Sequence, residues 1–324
     1  MDLNEVKAYL APGLDRVDAC IARVLASDVP LLDQVNRHLR EHPGKMLRPM
    51  LGLLSAGAAG TPTEDTIRYA SATELLHNAT LLHDDVVDGA YERRGLPTVA
   101  SLLSSSASVL IGDYWLVQCL QLVLGSDSDK NRVLQIMADT LGHLAEGEML
   151  QMEKATRADT TQEDYLRIIF CKTASLFEAA AQAAVISVNG SPVAEKALGS
   201  YARNIGIAYQ IKDDIMDYGD EEIGKPVGID LLEGKITQPL LCALETATPA
   251  EAARIRALVA DITRNPAGAE EVRAFVKERD GVRLASEIMD GWLEKALSCL
   301  EPLPESKEKS YLATLPAFVR QRNR

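Results

Sequence analysis

The chain has 324 residues, room for one large domain or two ordinary ones, and its 47% hydrophobic content is ample for a core. A formal net charge of −13 argues against nucleic-acid binding, and only 5% aromatic residues against an Ala- and Leu-rich background favours helix over sheet. The five cysteines (Cys20, Cys119, Cys171, Cys242, Cys299) are scattered without a Cys-x-x-Cys pair and no basic-then-apolar leader opens the sequence, so the expected location is the reducing cytoplasm.

Hydrophobic periodicity predicts helices over 3–26, 30–41 and 46–58. At the start of the third, Gly44-Lys45-Met46-Leu47-Arg48-Pro49 puts Lys45 and Arg48 on one helical face, which on its own is also what a solvated helix start looks like. Thr61-Pro62-x-Glu64 combines an N-cap, a first-turn proline and an acid, and predicts a helix over 62–88. That helix ends in His83-Asp84-Asp85-Val86-Val87-Asp88, with Gly89 as its stop. Positions i, i+1 and i+4 cluster on a helix, so the three carboxylates point at one spot. A single such word is often a solvated helix end. Here it follows apolar residues and lies at a C-terminus, where the macrodipole disfavours negative charge and a bound cation would reverse the effect.

The loop Arg93-Arg94-Gly95-Leu96-Pro97-Thr98 follows, and arginine's planar fork suits phosphate. Helices over 106–124 and 130–155 come next. The most apolar stretch, Ser108 to Gly125, carries Asp113, Gln118 and Gln121, so no transmembrane segment is expected. Thr160-x-x-Glu163 opens a helix over 161–188 in which Lys172, beside Thr173, either snorkels or pairs with an anion, and its apolar neighbours favour the pairing. Ser191-Pro192 opens 192–218, which ends in Gln210-Ile211-Lys212-Asp213-Asp214-Ile215-Met216-Asp217 and stops at Gly219. The glycine-bearing word Gly224-Lys225-Pro226-Val227-Gly228, continuing to Gly234-Lys235, follows it; alone it is a weak phosphate-loop signal. Helices over 230–246, 249–263, 267–278, 281–301 and 307–322 complete the chain. No segment alternates like a strand. The expected fold is all-α, a single domain over 1–324 of about 12–13 helices around a deep central cavity.

The Asp-Asp-x-x-Asp word thus occurs twice, each time at a helix end beside a loop. If the two helices lie side by side, Asp84, Asp85, Asp88, Asp213, Asp214 and Asp217 face one another across a cavity mouth. Hard oxygen ligands of this kind suit Mg²⁺, which shares its shell with substrate phosphates.

In this order, the Gly44-to-Pro49 word, His77 to Asp88, Arg93 to Thr98, Gly112-Asp113, Lys172-Thr173, Gln210 to Asp217 and Gly224 to Pro239 resemble the trans-isoprenyl diphosphate synthases over nearly the whole chain. The resemblance implies a prenyltransferase that adds isopentenyl diphosphate to an allylic diphosphate. It implies Mg²⁺, three ions in the substrate complex, held by the two aspartate words. Arg93, Lys172, Lys225 and Lys235 would face the allylic diphosphate, and Lys45, Arg48, His77 and Arg94 the isopentenyl diphosphate. Asp84, Asp213, Lys172, Thr173 and Gln210 would carry the chemistry, the last two by placing oxygen dipoles near the allylic cation.

Product length is read one to two turns before Asp84. Ala79 and Thr80 lie ~6–7.5 Å below it on the helix, with Leu76 lower still. Ala79 and Thr80 are small where short-chain relatives place a bulky aromatic, and the words around them resemble long-chain members. The expected product is a long all-trans polyprenyl diphosphate, a quinone side-chain precursor. The alternatives are a geranylgeranyl diphosphate synthase, a non-catalytic partner subunit and a terpene cyclase. The resemblance also implies a homodimer, with Ser108 to Gly125 as candidate interface helix.

Overall fold

The computed structural model describes residues 3–41, 44–93, 95–219 and 228–322, which gather into two compact units. The first takes Met1–Ala138, Ala179–Gly199 and Pro302–Leu312. Its helices are α1 (Leu3–Leu25), α2 (Pro30–Glu41), α3 (Leu47–Ala59), α4 (Glu64–Val87), α5 (Val99–Leu102), α6 (Ser105–Leu124), the first part of α7 (Lys130–Arg157), most of α9 (Ser175–Ser187), the start of α10 (Pro192–Asp217) and α16 (Lys307–Leu312). The axis of this unit is α4, which packs on α1, α3, α5 and α6. Leu75, Leu76, Ala72 and Ala79 are all fully buried in it, so the helix is apolar around most of its circumference rather than along one stripe. Its buried hydroxyls are answered locally: Ser71 Oγ donates to the Ile67 carbonyl at 2.8 Å and Thr73 Oγ1 to that of Ala70 at 3.0 Å.

The second unit takes Asp139–Glu178, Ser200–Glu301 and Ala313–Arg324. It holds the end of α7, α8 (Gln162–Ile169), a π turn (Phe170–Ala174), the end of α10, and α11 (Ile229–Leu232), α12 (Gln238–Glu245), α13 (Pro249–Asp261), α14 (Gly268–Glu278), α15 (Gly281–Cys299) and α17 (Leu315–Gln321). Here α12 packs on α8, α14 and α15. A Cβ at Gly281 would collide with the Pro239 carbonyl, so α15 starts flush against α12.

The all-α expectation holds, with local corrections. The N-cap of α4 is Thr63, not Thr61: Thr63 N donates to Thr66 Oγ1 at 2.9 Å, and Thr63 Oγ1 donates to the Ser187 carbonyl at 3.1 Å, a tether no local pattern encodes. The box at α8 pairs Thr161 with Asp164 rather than Thr160 with Glu163, because Asp164 is also held by Lys154 at 2.9 Å. The predicted helix 161–188 is interrupted by the π turn. The predicted helix 230–246 breaks at Gly234, whose φ of 76° closes α11, and 307–322 breaks before Pro316. A two-strand ribbon, Glu92–Arg93 (β1) against Leu96–Pro97 (β2), was not foreseen; it is too short for alternation to show. Two stretches, Ser105–Leu124 and Gln162–Ser187, are long and apolar enough to cross a membrane by length and composition; the second is 78% buried inside the protein.

Candidate functional site

The first aspartate word closes α4. Asp88 is its C-cap, donating its N–H to the Asp84 carbonyl at 2.8 Å, and Gly89 turns the chain out at φ 61°. The ribbon then doubles back through Gly95, at φ 79°, and returns Arg93 to the helix end. There Arg93 Nε donates to Asp85 Oδ1 at 2.6 Å. Asp85 is buried, and a buried carboxylate requires such a partner. Arg94 lies outside the described residues. Asp84 is half-buried and Asp88 exposed. His83 Nε2 lies 3.3 Å from Asp113 Oδ1 and 3.3 Å from the Val109 carbonyl. Any side chain at Gly112 would occupy the space of the His83 ring, so this glycine permits the contact.

A cavity of ≈ 460 Å³ adjoins this corner, lined by Asn78, Leu81, Leu82, Asp85, Arg93 and Trp115 among others. The residues expected to wall the product channel lie elsewhere on α4. Leu76 and Ala79 have no exposed surface and Thr80 is half-buried, its hydroxyl donating to the His77 carbonyl at 2.8 Å. His77 is half-buried on α4, Lys45 is exposed just before α3, and Arg48 is half-buried in the first turn of α3.

In the second unit the π turn presents Lys172 and Thr173. Such turns widen the helix and leave backbone groups without their usual partners, and they recur at functional sites. Two glycines bring neighbouring helices against it. A Cβ on Gly147 of α7 would lie 2.6 Å from Cys171 Cβ, and one on Gly206 of α10 would lie 2.7 Å from Ala174 Cα. Across the α10 contact Thr173 Oγ1 donates to Gln210 Oε1 at 2.7 Å. Lys172 Nζ pairs with Glu148 Oε2 at 2.5 Å, so its anion comes from α7 and not from an aspartate word.

Each acid of the second word has its own partner. Asp213 Oδ1 lies 2.6 Å from Arg322 Nη2, and that guanidinium sits 3.9 Å from the centre of the Tyr209 ring. Asp214 accepts from Tyr165 Oη at 2.5 Å and from Gln210 Nε2 at 3.0 Å. Asp217 accepts from the backbone N–H groups of Gly228, Ile229 and Asp230 at 3.0, 3.1 and 3.3 Å, the start of α11. Burial, then the nearby Asp230, pushes Asp214 up to about 8 and Asp217 up to about 6. Lys235 pairs with Glu233 at 2.5 Å and lies 3.4 Å from Asp230. A cavity of ≈ 140 Å³ gathers Lys172, Gln210, Asp214, Asp230, Lys235 and Tyr165. Lys225 lies outside the described residues.

Among the described residues no three His, Cys, Asp or Glu side chains converge closely enough to hold a metal ion. An anion on Lys172 was expected, though not which one; Tyr165, Asp230 and Arg322 carry no signal of their own in a helical pattern. Only the basic run Arg320-Gln321-Arg322 hinted at the last.

In the first unit one carboxylate of the aspartate word carries an arginine; in the second unit the same holds, and Lys172 and Lys235 line one polar cavity. The chain is similar over its whole length to known proteins. It is 38% identical over 325 residues to the octaprenyl diphosphate synthase of Haemophilus influenzae, covering 100% of this chain and 98% of the relative. A crystal structure of a decaprenyl diphosphate synthase from Rhodobacter capsulatus superposes with a TM-score of 0.91 at 35% identity, over 99% of both chains. A polyprenyl synthase from Caulobacter crescentus, complexed with calcium and isoprenyl diphosphate, gives 0.91 at 31% identity over 100% of this chain and 98% of that one. Residues 29–278 match the polyprenyl synthetase family as a block, aspartate words included, and the chain belongs to that family.

Proposed function

We propose that the chain is a trans-polyprenyl diphosphate synthase that extends an allylic diphosphate with isopentenyl diphosphate to a long-chain product. The observation that carries the reading is the cavity where Lys172, Lys235, Gln210 and Asp214 meet beside the π turn. In the reaction the C1–O bond of the allylic diphosphate breaks, and the electron pair leaves with the diphosphate. The double bond of isopentenyl diphosphate then forms a C–C bond to C1. A proton is lost from the resulting cation, and the departed diphosphate is a competent base for it.

The residues divide by charge. Arg93, Lys172, Lys225 and Lys235 supply positive charge to the leaving diphosphate. Lys45, Arg48, His77 and Arg94 take isopentenyl diphosphate. Thr173 and Gln210 turn oxygen toward the allylic cation. The donor chemistry fits a hard divalent cation, since Asp84, Asp85, Asp88, Asp213 and Asp217 supply carboxylate oxygen at the two helix ends. Bound Mg²⁺, three ions in the substrate complex, would neutralise the leaving diphosphate.

The test is incubation with isopentenyl diphosphate, farnesyl diphosphate and Mg²⁺, with product mass read by spectrometry. Several successive condensations are expected. Absence of product refutes the reading, and a product that stops after one condensation refutes its long-chain part in favour of a geranylgeranyl diphosphate synthase. In the same assay Thr80→Phe shortens the product, because Thr80 retains free surface. Ala79→Phe overpacks a fully buried position and costs about 1–3 kcal/mol of stability instead.

The chain also forms a homodimer in this reading. Leu110, Val117 and Leu124 recur every seventh residue along α6, and all three are at least half exposed. Such an apolar stripe marks an interaction face. Light scattering at micromolar concentration is expected to give twice the chain mass of 35.2 kDa; a monomer overturns it.

A further inference from the structure

Of the three acids in the second word, Asp214 stands apart. Asp213 and Asp217 are i and i+4 and share one face of α10, whereas Asp214 is rotated about 100° from Asp213, toward α8. It is 2% exposed, and both of its oxygens are occupied: Oδ2 by the Tyr165 hydroxyl at 2.5 Å, Oδ1 by Gln210 Nε2 at 3.0 Å. Tyr165 itself is buried on α8. A primary amide is nearly symmetric in shape, so which end of Gln210 faces which way is decided by its partners. Asp214 Oδ1 accepts, which draws the Gln210 NH₂ toward it. The carbonyl Oε1 is thereby left at Thr173 Oγ1, 2.7 Å away, on the π turn.

We propose that Tyr165 and Asp214 are a positioning pair for Gln210, and that Asp214 serves the second aspartate word in this way and not as a metal ligand. The inference rests on the prenyl-transfer reading above, in which the Gln210 carbonyl and the Thr173 hydroxyl turn oxygen toward a carbocation. Without the pair the amide is free to flip, and it then offers N–H to a developing positive charge. Tyr165 acts through Asp214, which acts through Gln210.

The experiment compares wild type, Tyr165→Phe, Asp214→Asn and Asp213→Asn. Three quantities are read: kcat and both KM values for a single condensation, Mn²⁺ affinity by electron paramagnetic resonance in the presence of inorganic pyrophosphate, and Tm. Tyr165→Phe and Asp214→Asn are expected to lower kcat by about tenfold or more, with both KM values and the Mn²⁺ affinity held within about twofold. Asp213→Asn is expected to weaken Mn²⁺. In a Gln210→Ala background, Tyr165→Phe lowers kcat no further, although it still lowers Tm; a purely structural tyrosine would instead act equally in both backgrounds. The proposal is overturned if Asp214→Asn weakens Mn²⁺ as Asp213→Asn does, if folded Tyr165→Phe keeps wild-type kcat, or if the effects of Tyr165 and Gln210 on kcat add. A wild-type protein that condenses nothing overturns the prenyl-transfer reading itself, a result separate from these.

Discussion

Arg93 on Asp85 and Arg322 on Asp213 show how the chain keeps charge balanced at its two aspartate words. Three acids at a helix C-terminus oppose the macrodipole, and a partly buried carboxylate without a cation is costly. Arg322 is 8% exposed in its side chain and stacks on Tyr209, so it is a well-held counter-ion rather than a passing surface pair. A metal at Asp213 would have to displace it. Arg322→Ala is therefore expected to tighten Mn²⁺ binding in the presence of pyrophosphate by roughly threefold to tenfold, while the loss of stacking costs about 1 kcal/mol of stability. Resonance titration and a melting curve measure the two effects. Unchanged affinity would mean that the guanidinium does not hold Asp213 in solution. The sequence pattern showed Asp213 because its helix neighbours lie four residues away. It could not show Arg322, since a contact between distant segments leaves no local periodicity.

The π turn and the helices on either side form the next level. Lys172 and Thr173 were legible as a polar break in an apolar helix, but the widening of that helix was not. Its cause is packing: Gly147 and Gly206 let α7 and α10 press on the turn from their own sides. Gly206→Ala would place a methyl 2.7 Å from Ala174 Cα and 3.3 Å from Phe177 Cβ, against backbone that cannot give way. The expected cost is about 1–3 kcal/mol, and kcat falls with it because α10 is pushed off the Thr173–Gln210 hydrogen bond. Gly142→Ala is the control. It lies in the same long α7, exposed, with nothing near its missing Cβ, and is expected to add about 0.5–1 kcal/mol by helix propensity. Denaturant midpoints and steady-state kinetics compare the pair. Equal effects of the two alanines would remove the packing argument.

Acidity couples the second site to the stability of the protein. Asp214 and Asp217 have folded-state values of about 8 and about 6, above the unfolded carboxylate range. The folded state therefore binds more protons than the unfolded state between about pH 4 and pH 8, and stability falls as pH rises through that window. Asp65, Asp164 and Glu251 shift the other way, because hydrogen bonds outweigh their burial. Their contribution is complete once they are ionised in both states, by about pH 5. Thermal melts in chelator are thus expected to give a lower Tm at pH 8 than at pH 5.5, with the slope flattened by Asp214→Asn. Added Mg²⁺ should oppose only the part of the fall that belongs to Asp217, since a metal there would bind the ionised form. A Tm that rises from pH 5.5 to 8 in chelator would show that the two acids are not held in this way.

Composition, helical period and caps were sufficient for the all-α class, for ten of the thirteen expected helices close to their observed bounds and for both aspartate words, because these features repeat within a few residues of chain. The ribbon that returns Arg93 to Asp85, the true caps at Thr63 and Thr161, the breaks at Gly234 and before Pro316, and the partners Glu148, Tyr165 and Arg322 arise where distant segments meet. A helix can announce where its carboxylates lie. Which of them receives an arginine, a tyrosine or a run of backbone amides depends on burial, and burial exists only once the helices have packed.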